Sequence, residues 1–477
     1  MGLRRIQRLA PSFDEAQVVR RQPRFFGAIE PAREPGQAAA VIRRVRRDFI
    51  GGRFLGTIGR VGGNPIWPLS WVRAASSVRL PTGQIQRSLR PAFRAARRQI
   101  ASAAAAVCLG GLCLVSPCAG APPGSPASSG TPDTAEPAAL EPRLRLTGDF
   151  RLRYQRTTLP FDTPTRNLGV LRGRLLASYR LTDTLDLGAR IGTGDPENPR
   201  TNDVTLGDFA HKLDLTLDRA YLALKARRLT LLGGRFANPF FTSELVWDGD
   251  VNPQGLAASV DLPELGCVAP RLTGMAFLIS AQTAGDDSHM LGVQASGRCP
   301  MGRSWEATAA LSYLDHHLTG ISAGDVRGNR LTEDRSAYLS DFDLVDLLGQ
   351  LTFRGLGPRW PVSLTLHFVH NAGAALADDS GFNVELRVGS GQARGAMVAQ
   401  YAYARVDRDA VLAAFSHDNI PLATNHRVHT VSSDWFFRAN VFATLTLYLY
   451  RPQVPADPEP FDGSWRSRVR LNLTVLF

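Results

Sequence analysis

The chain ends Arg466-Ser467-Arg468-Val469-Arg470-Leu471-Asn472-Leu473-Thr474-Val475-Leu476-Phe477. Val469, Leu471, Leu473, Val475 and Phe477 are apolar, and Arg466, Arg468, Arg470, Asn472 and Thr474 alternate with them. Successive side chains of a strand point to opposite faces, so the stretch predicts a strand with one apolar and one polar face.

The same period of two runs back through the chain to about residue 142. In Arg143-Leu144-Arg145-Leu146-Thr147-Gly148-Asp149-Phe150-Arg151-Leu152-Arg153-Tyr154 the odd positions are polar and the even ones mostly apolar. Leu171, Leu175, Ala177 and Tyr179 alternate with Arg172, Arg174, Ser178 and Arg180. Further segments bring the expected total to about sixteen strands, each long enough to cross a bilayer at a tilt. The connections alternate too. Short ones lie near 182–184, 227–228, 355–359, 389–395 and 438–440; long ones span 194–212, 237–255, 317–345, 407–424 and 451–464. Short turns at one end and long loops at the other are the habit of outer-membrane barrels. In lipid every backbone N–H and C=O must be paired internally, which leaves helices or a closed barrel. The expectation is therefore an all-β, transmembrane antiparallel barrel over residues 142–477. A soluble sandwich would have shorter strands, and there is no repeat motif of the kind a solenoid or propeller carries.

The net charge is +12, but it is unevenly placed. Residues 1–121 carry a net +15 and residues 122–477 a net −3. The main body thus has no electrostatic basis for a nucleic-acid partner. Arg94, Arg97 and Arg98, the apolar run from Ile100 to Val115 and the small residues Ser116 to Ala121 together predict a secretory signal peptide over 91–121. Residues 1–90 are Arg-rich without sustained periodicity, and read as a disordered extension or as a start assigned too far upstream. Residues 122–141, rich in Pro, Ser and Ala, read as a flexible linker. With Cys108, Cys113 and Cys118 in the leader, Cys267 and Cys299 remain. Both fall on short-turn positions and are candidates for a disulfide.

If the apolar face meets lipid, Arg143, Arg145, Arg151, Arg153, Arg172, Arg174, Arg180, Arg190, Arg466, Arg468 and Arg470 face inward. Barrel closure sets the last strand beside the first, so one wall carries an arginine ladder. Unpaired charge in a dry interior is very costly; a sixteen-stranded barrel leaves an aqueous lumen instead. The ladder is expected to line a pore, to pair with Asp149, Asp186, Asp214 or Asp218, or both.

Asp218-Arg219-Ala220-Tyr221-Leu222 is followed by Gly234-Arg235, Asn238-Pro239-Phe240, Leu245-Val246-Trp247-Asp248-Gly249-Asp250 and Pro253-Gln254-Gly255. On these residues the chain resembles the putative porin family of Gram-negative outer membranes, over roughly 142–477. The resemblance implies passive diffusion of small hydrophilic solutes and ions. It also implies that the loop at about 237–255, with Glu244, Trp247, Asp248 and Asp250, folds inward as a constriction. General porins are often trimers, so a homotrimer is an open expectation. The terminal Phe477 resembles the recognition signal read by barrel assembly machinery. A non-conducting structural or adhesin-type barrel is the alternative.

Other chemistry fits poorly. Asp248-Gly249-Asp250-Val251-Asn252 begins like a calcium loop, but Pro253 stands where Gly is needed and Ser259 where a bidentate Glu is needed. His316-His317 and His367/His370 lack completing ligands. Gly320-Ile321-Ser322-Ala323-Gly324 has the Gly-x-Ser-x-Gly spacing but lies in the long 317–345 connection rather than on a strand-to-helix turn, so it does not support an enzyme, and no cofactor is expected.

Overall fold

A computed structural model describes residues 143–158, 165–207, 212–283, 285–321, 326, 328–391, 393–454 and 463–477. The expected extension, signal peptide and linker lie outside these residues. The described strands are β1 (Leu144–Thr157), β2 (Arg166–Arg180), β3 (Leu185–Thr193), β4 (Val204–Thr205), β5 (Leu215–Ala226), β6 (Leu229–Arg235), β7 (Gln254–Asp261), β8 (Ala269–Ser280) and β9 (Ser288–Met301). They continue with β10 (Trp305–His317), β11 (Phe342–Phe353), β12 (Val362–Asn371), β13 (Ser380–Val388), β14 (Met397–Val406), β15 (His426–Arg438), β16 (Val441–Pro452) and β17 (Arg466–Leu476). All but the two-residue β4 form one antiparallel ring of sixteen, each strand paired with its neighbours.

The ring closes where β1 meets β17, in a register that sets Arg151 opposite Thr474 and Arg153 opposite Asn472. Gly148 and Phe477 complete the seam: Gly148 N–H donates to Phe477 O (2.7 Å) and Phe477 N–H to Gly148 O (3.1 Å). Closure leaves no edge for another strand to pair with. β4 belongs to the β3–β5 connection and pairs with Val170 and Leu171 of β2, above the point where β3 ends.

The two faces differ as the period of two requires. Leu152, Tyr154, Leu222, Leu347, Leu366 and Phe368 all lie outside and exposed, forming a belt around the ring. A contiguous apolar surface this large is unfavourable in water and suits lipid. The fold is thus a transmembrane antiparallel β-barrel. Long connections gather at one end, here the loop end, and short ones at the turn end.

The interior departs from the expectation of a polar lumen throughout. Near the loop end, the inward positions of β7 to β14 are apolar and buried: Ala257, Met275, Phe277, Met290, Leu314, Phe342, Leu344, Val369 and Val406. Against them pack two connections that fold into the barrel, 236–253 and 407–425, through Phe240, Leu245, Val246, Trp247, Val251, Leu412 and Phe415. This is a dry core inside a membrane barrel. The Trp247, Phe277 and Phe415 rings form its centre, with centroids 5.3–5.9 Å apart.

Candidate functional site: the arginine wall and the inward loops

β1, β2, β3, β5 and β17 build the opposite wall. Arg151 and Arg153 of β1 both pair with Asp203 from the β3–β5 connection, Arg153 Nη1 at 2.6 Å. Burial raises the Asp203 carboxyl, but the two guanidiniums outweigh it and hold the group below its ordinary value. Arg172 and Arg174 share Asp149, at 2.9 and 2.7 Å, and both reach Asp250 of the 236–253 loop, at 3.7 and 2.5 Å. Arg190 Nε donates to Asp218 (2.6 Å). A bulge makes that pair: Arg190 faces Arg219 while Ile191 faces Leu217, so Asp218 is the extra residue and joins Arg219 on the inward side. Arg219 Nε in turn donates to Asn252 Oδ1 (2.7 Å).

The 407–425 loop completes the wall. Arg468 Nη1 donates to Asn419 O (2.8 Å) and Arg470 Nη1 to Asn419 Oδ1 (2.7 Å). Asn419 Nδ2 donates to Glu244. Three connections therefore dock on the ladder, through Asp203, Asp250 and Asn419. A cavity of about 320 Å³ remains along this wall, lined by Arg151, Arg153, Arg172, Arg174 and Arg470 among others. A second, of about 440 Å³, lies beyond Asn419 and carries Glu244 and Glu385. The cross-section of the barrel interior thus sets arginines on one side against carboxylates on the other.

The structure sorts the ladder residues expected from sequence. Arg151, Arg153, Arg172, Arg174, Arg190, Arg468 and Arg470 come together. Arg143, Arg145 and Arg180 stand exposed at the turn end, while Arg466 is half-buried at the loop end of β17 opposite Tyr450. Of the expected pairings, Asp149 and Asp218 take ladder arginines, whereas Asp186 takes Lys225 (2.9 Å). Asp203, Arg219 and Asn419 are partners that sequence reasoning missed, whereas Asp250 was expected on the constriction loop and does meet Arg172 and Arg174. The apolar run Ala410-Val411-Leu412-Ala413-Ala414-Phe415 was a readable signal that the 407–425 loop turns inward, since such a run does not suit a solvated loop.

The expected constriction residues divide. Glu244 and Asp250 reach into the lumen. Trp247 is 3 % exposed and Asp248 6 %, and neither faces the ladder. Trp247 fills the dry core, its Nε1–H donating to Val251 O (3.0 Å). Asp248 turns into the loop, where its Oδ1 accepts the Asp250 N–H (2.8 Å) and its own N–H donates to Phe415 O (2.7 Å). Burial, with Glu244 and Asp418 adding like charge, pushes the Asp248 carboxyl up to about 8.

The loop is also latched to the wall. Ser243 Oγ and His367 Nδ1 share a hydrogen bond (2.5 Å), and His367 Nε2 donates to the Asp346 carboxylate. An acyl-transfer relay has the same three residue types, but there serine meets Nε2 and aspartate Nδ1, the reverse of the contacts here. Ser243 is instead used structurally: its Oγ accepts the Leu245 N–H (3.3 Å) and its carbonyl caps the turn by accepting from Val246 and Trp247 (3.1 Å each). No group of three or more metal-ligating side chains occurs among the described residues. At the turn end, Cys267 and Cys299 form a disulfide with their Cα atoms 5.0 Å apart. They meet because Ala269 of β8 lies opposite Arg298 of β9.

The class these features define is a closed sixteen-stranded barrel with loops folded into its lumen. Residues 162–326 match the model of a putative porin family, and every motif from Asp218 to Gly255 falls inside that match. Among solved structures, the chain is similar to OmpF of Salmonella typhi, at 10% identity and a TM-score of 0.44, covering 70% of this chain and 97% of that one. It is also similar to OprB of Pseudomonas putida, at 13% identity and a TM-score of 0.49, covering 70% and 94%. Porin variants of Rhodopseudomonas blastica show the same, one at 9% identity and a TM-score of 0.40 over 70% and 100%. A comparison with curated proteins returns no match.

Proposed function

We propose that the chain is an outer-membrane porin, a water-filled channel for passive diffusion of small hydrophilic solutes and ions. The observation that carries this reading is the pairing of an apolar belt outside with an inward wall of at least eight arginines, only four of whose partners are carboxylates: Asp149, Asp203, Asp218 and Asp250. Such a wall is tolerable only beside water, and it imposes a field across the path of a moving ion. The 236–253 loop, with 407–425 as a second strap, forms the constriction. The long connections face the cell exterior and the short turns the periplasm. Export by a signal peptide, assembly signalled by Phe477 and a homotrimer complete the reading.

Single-channel recording in a planar bilayer under a salt gradient tests it. Discrete current steps are expected, with a reversal potential showing anion preference. The dry core that fills one side of the loop end favours a second reading, a plugged structural barrel. A verified folded barrel that never conducts would support that reading. Deleting Phe477 removes both hydrogen bonds to Gly148 and is expected to lower the membrane-inserted fraction; undiminished insertion would count against its role as a signal.

A further inference from the structure

At the loop end, between the dry core and the 194–214 connection, lies a cavity of about 400 Å³. Arg235 and Gln254 stand on one side of it. The other walls are largely apolar, from Phe277, Ile279, Leu318, Tyr338, Leu412 and Phe415. The volume falls within the roughly 300–1,000 Å³ of small-molecule sites.

Arg235 differs from the ladder arginines. Each of those at mid-wall is committed to a partner: Asp203, Asp149, Asp250, Asp218, Asn252 or Asn419. Among the described residues nothing pairs with the Arg235 guanidinium, and its Nε is buried without a hydrogen-bond partner. Arg235 lines the cavity with its guanidinium uncommitted, so an acceptor arriving there meets an unpaired donor.

The backbone holds this arginine in place by an unusual device. Gly234 and Gly255 are opposite each other on β6 and β7, with φ of 112° and 150°. A Cβ on either would lie 2.2–2.3 Å from a carbonyl oxygen, that of Ala220 or Ala276. Both positions therefore demand glycine, and they fix the residues beside them, Arg235 and Gln254. These are the Gly-Arg and Pro-Gln-Gly pieces of the sequence motif, which pore lining alone does not explain.

We propose that this cavity binds a small amphiphilic monocarboxylate. A guanidinium fork matches a carboxylate with two parallel hydrogen bonds, and the Gln254 amide adds a further donor. The aromatic and aliphatic walls take the apolar body. Glu197, exposed at the rim, opposes a second negative charge and so disfavours dianions. The proposal deepens the porin reading by giving the channel a solute class, and rests on that reading only for transport, not for binding.

The test is calorimetric titration of the detergent-solubilised, folded barrel with benzoate. Benzyl alcohol (ring without charge), acetate (charge without ring) and phthalate (two charges) serve as comparisons. Benzoate is expected to bind at least about tenfold more tightly than any of the three, a difference of about 1.4 kcal/mol. Arg235→Gln is expected to abolish that advantage while leaving benzyl alcohol unchanged, and Arg235→Lys to keep part of it. Folding of each variant is checked by the mobility shift between heated and unheated samples. Equal affinity for benzoate and benzyl alcohol, undiminished benzoate binding by Arg235→Gln, or no benzoate binding would each overturn the proposal. Bilayer recording of the same preparation separates the two ideas. Binding without conductance removes the pore and keeps the site, and conductance without binding does the reverse.

Discussion

On β1, β2 and β17 the inward residues at mid-wall are Arg151, Arg153, Arg172, Arg174 and Arg470; on β8, β9 and β11 the inward residues near the loop end are Met275, Phe277, Met290, Phe342 and Leu344. Both walls receive the same two loops. The 236–253 loop gives Asp250 to the arginines and Trp247 to the apolar side, and 407–425 gives Asn419 and Phe415 in the same way. Each loop is thus an amphipathic crosspiece. The difference teaches where the channel can run. In the proposed channel, water and ions follow the charged wall, because on the apolar side the two loops pack into the dry core.

Four perturbations sharpen or break that division, in descending order of effect. Trp247→Ala removes the centre of the dry core. Truncating a buried aromatic costs about 3–5 kcal/mol, here drawn from loop docking rather than from the strand ladder. The expected result is a higher single-channel conductance and faster protease cleavage of both loops, with the heat-modifiable barrel intact. Unchanged conductance would mean that the docking of these loops does not limit the path.

Asp248 sets a pH dependence on the same docking. Its folded-state pKa is raised to about 8 from an ordinary 3.8. The folded loop therefore binds this proton more tightly than the released loop does. Its stabilising contribution is full below about pH 4 and is lost progressively as pH rises towards about 8, with no further loss above. Protease cleavage of the loop should accelerate across that window. Asp248→Asn keeps an oxygen for the Asp250 N–H and cannot ionise, so its cleavage rate should rise less with pH than wild type's, leaving only the share of Glu244, whose carboxyl burial also raises. A wild-type rate that rises no more steeply than the variant's would refute the assignment.

Away from both walls, the Cys267–Cys299 disulfide closes a 32-residue separation at the turn end. Replacing both cysteines with serine should lower stability by about 3–4 kcal/mol on loop-entropy grounds, measured as a shift in the temperature at which the barrel loses its compact mobility. Conductance should not change, because the bond is remote from the loops.

The ring itself was legible in the sequence, because the period of two and the alternation of short and long connections are local properties. The arginines from Arg151 to Arg470 could be assigned to one wall because closure sets the last strand against the first. The dry core was harder to see, although β8 and β11 carry apolar residues on both faces near the loop end, such as Phe277 beside Leu278 and Leu344 beside Val345. Partners such as Asp203 depend on the route of a connection through space, which no local pattern encodes. Asp248 and Asp250 look equivalent as residue types two apart. Only the fold shows that one closes a turn while the other meets Arg172 and Arg174.

Asp250→Asn is the smallest change and isolates the charged wall. It removes one carboxylate from between two arginines, while Asp149 still holds both of them and Asn252 with the dry core still ties the loop to the wall. A unit charge about 7 Å from the ion path, in water, is worth roughly 0.6 kcal/mol. That corresponds to roughly a threefold change in relative permeability, reduced further as salt screens it. The reversal potential under a salt gradient should therefore move towards anions at low ionic strength and converge with wild type at about 1 M, where the Debye length is about 3 Å. Asp248→Asn, two residues away, removes the same formal charge from a buried position off the channel wall, and at pH 6 that group is already protonated. It should leave the reversal potential where it was. If the two variants shift selectivity equally, the field in the channel is set by the loop as a whole, and the separation of the charged wall from the dry core fails.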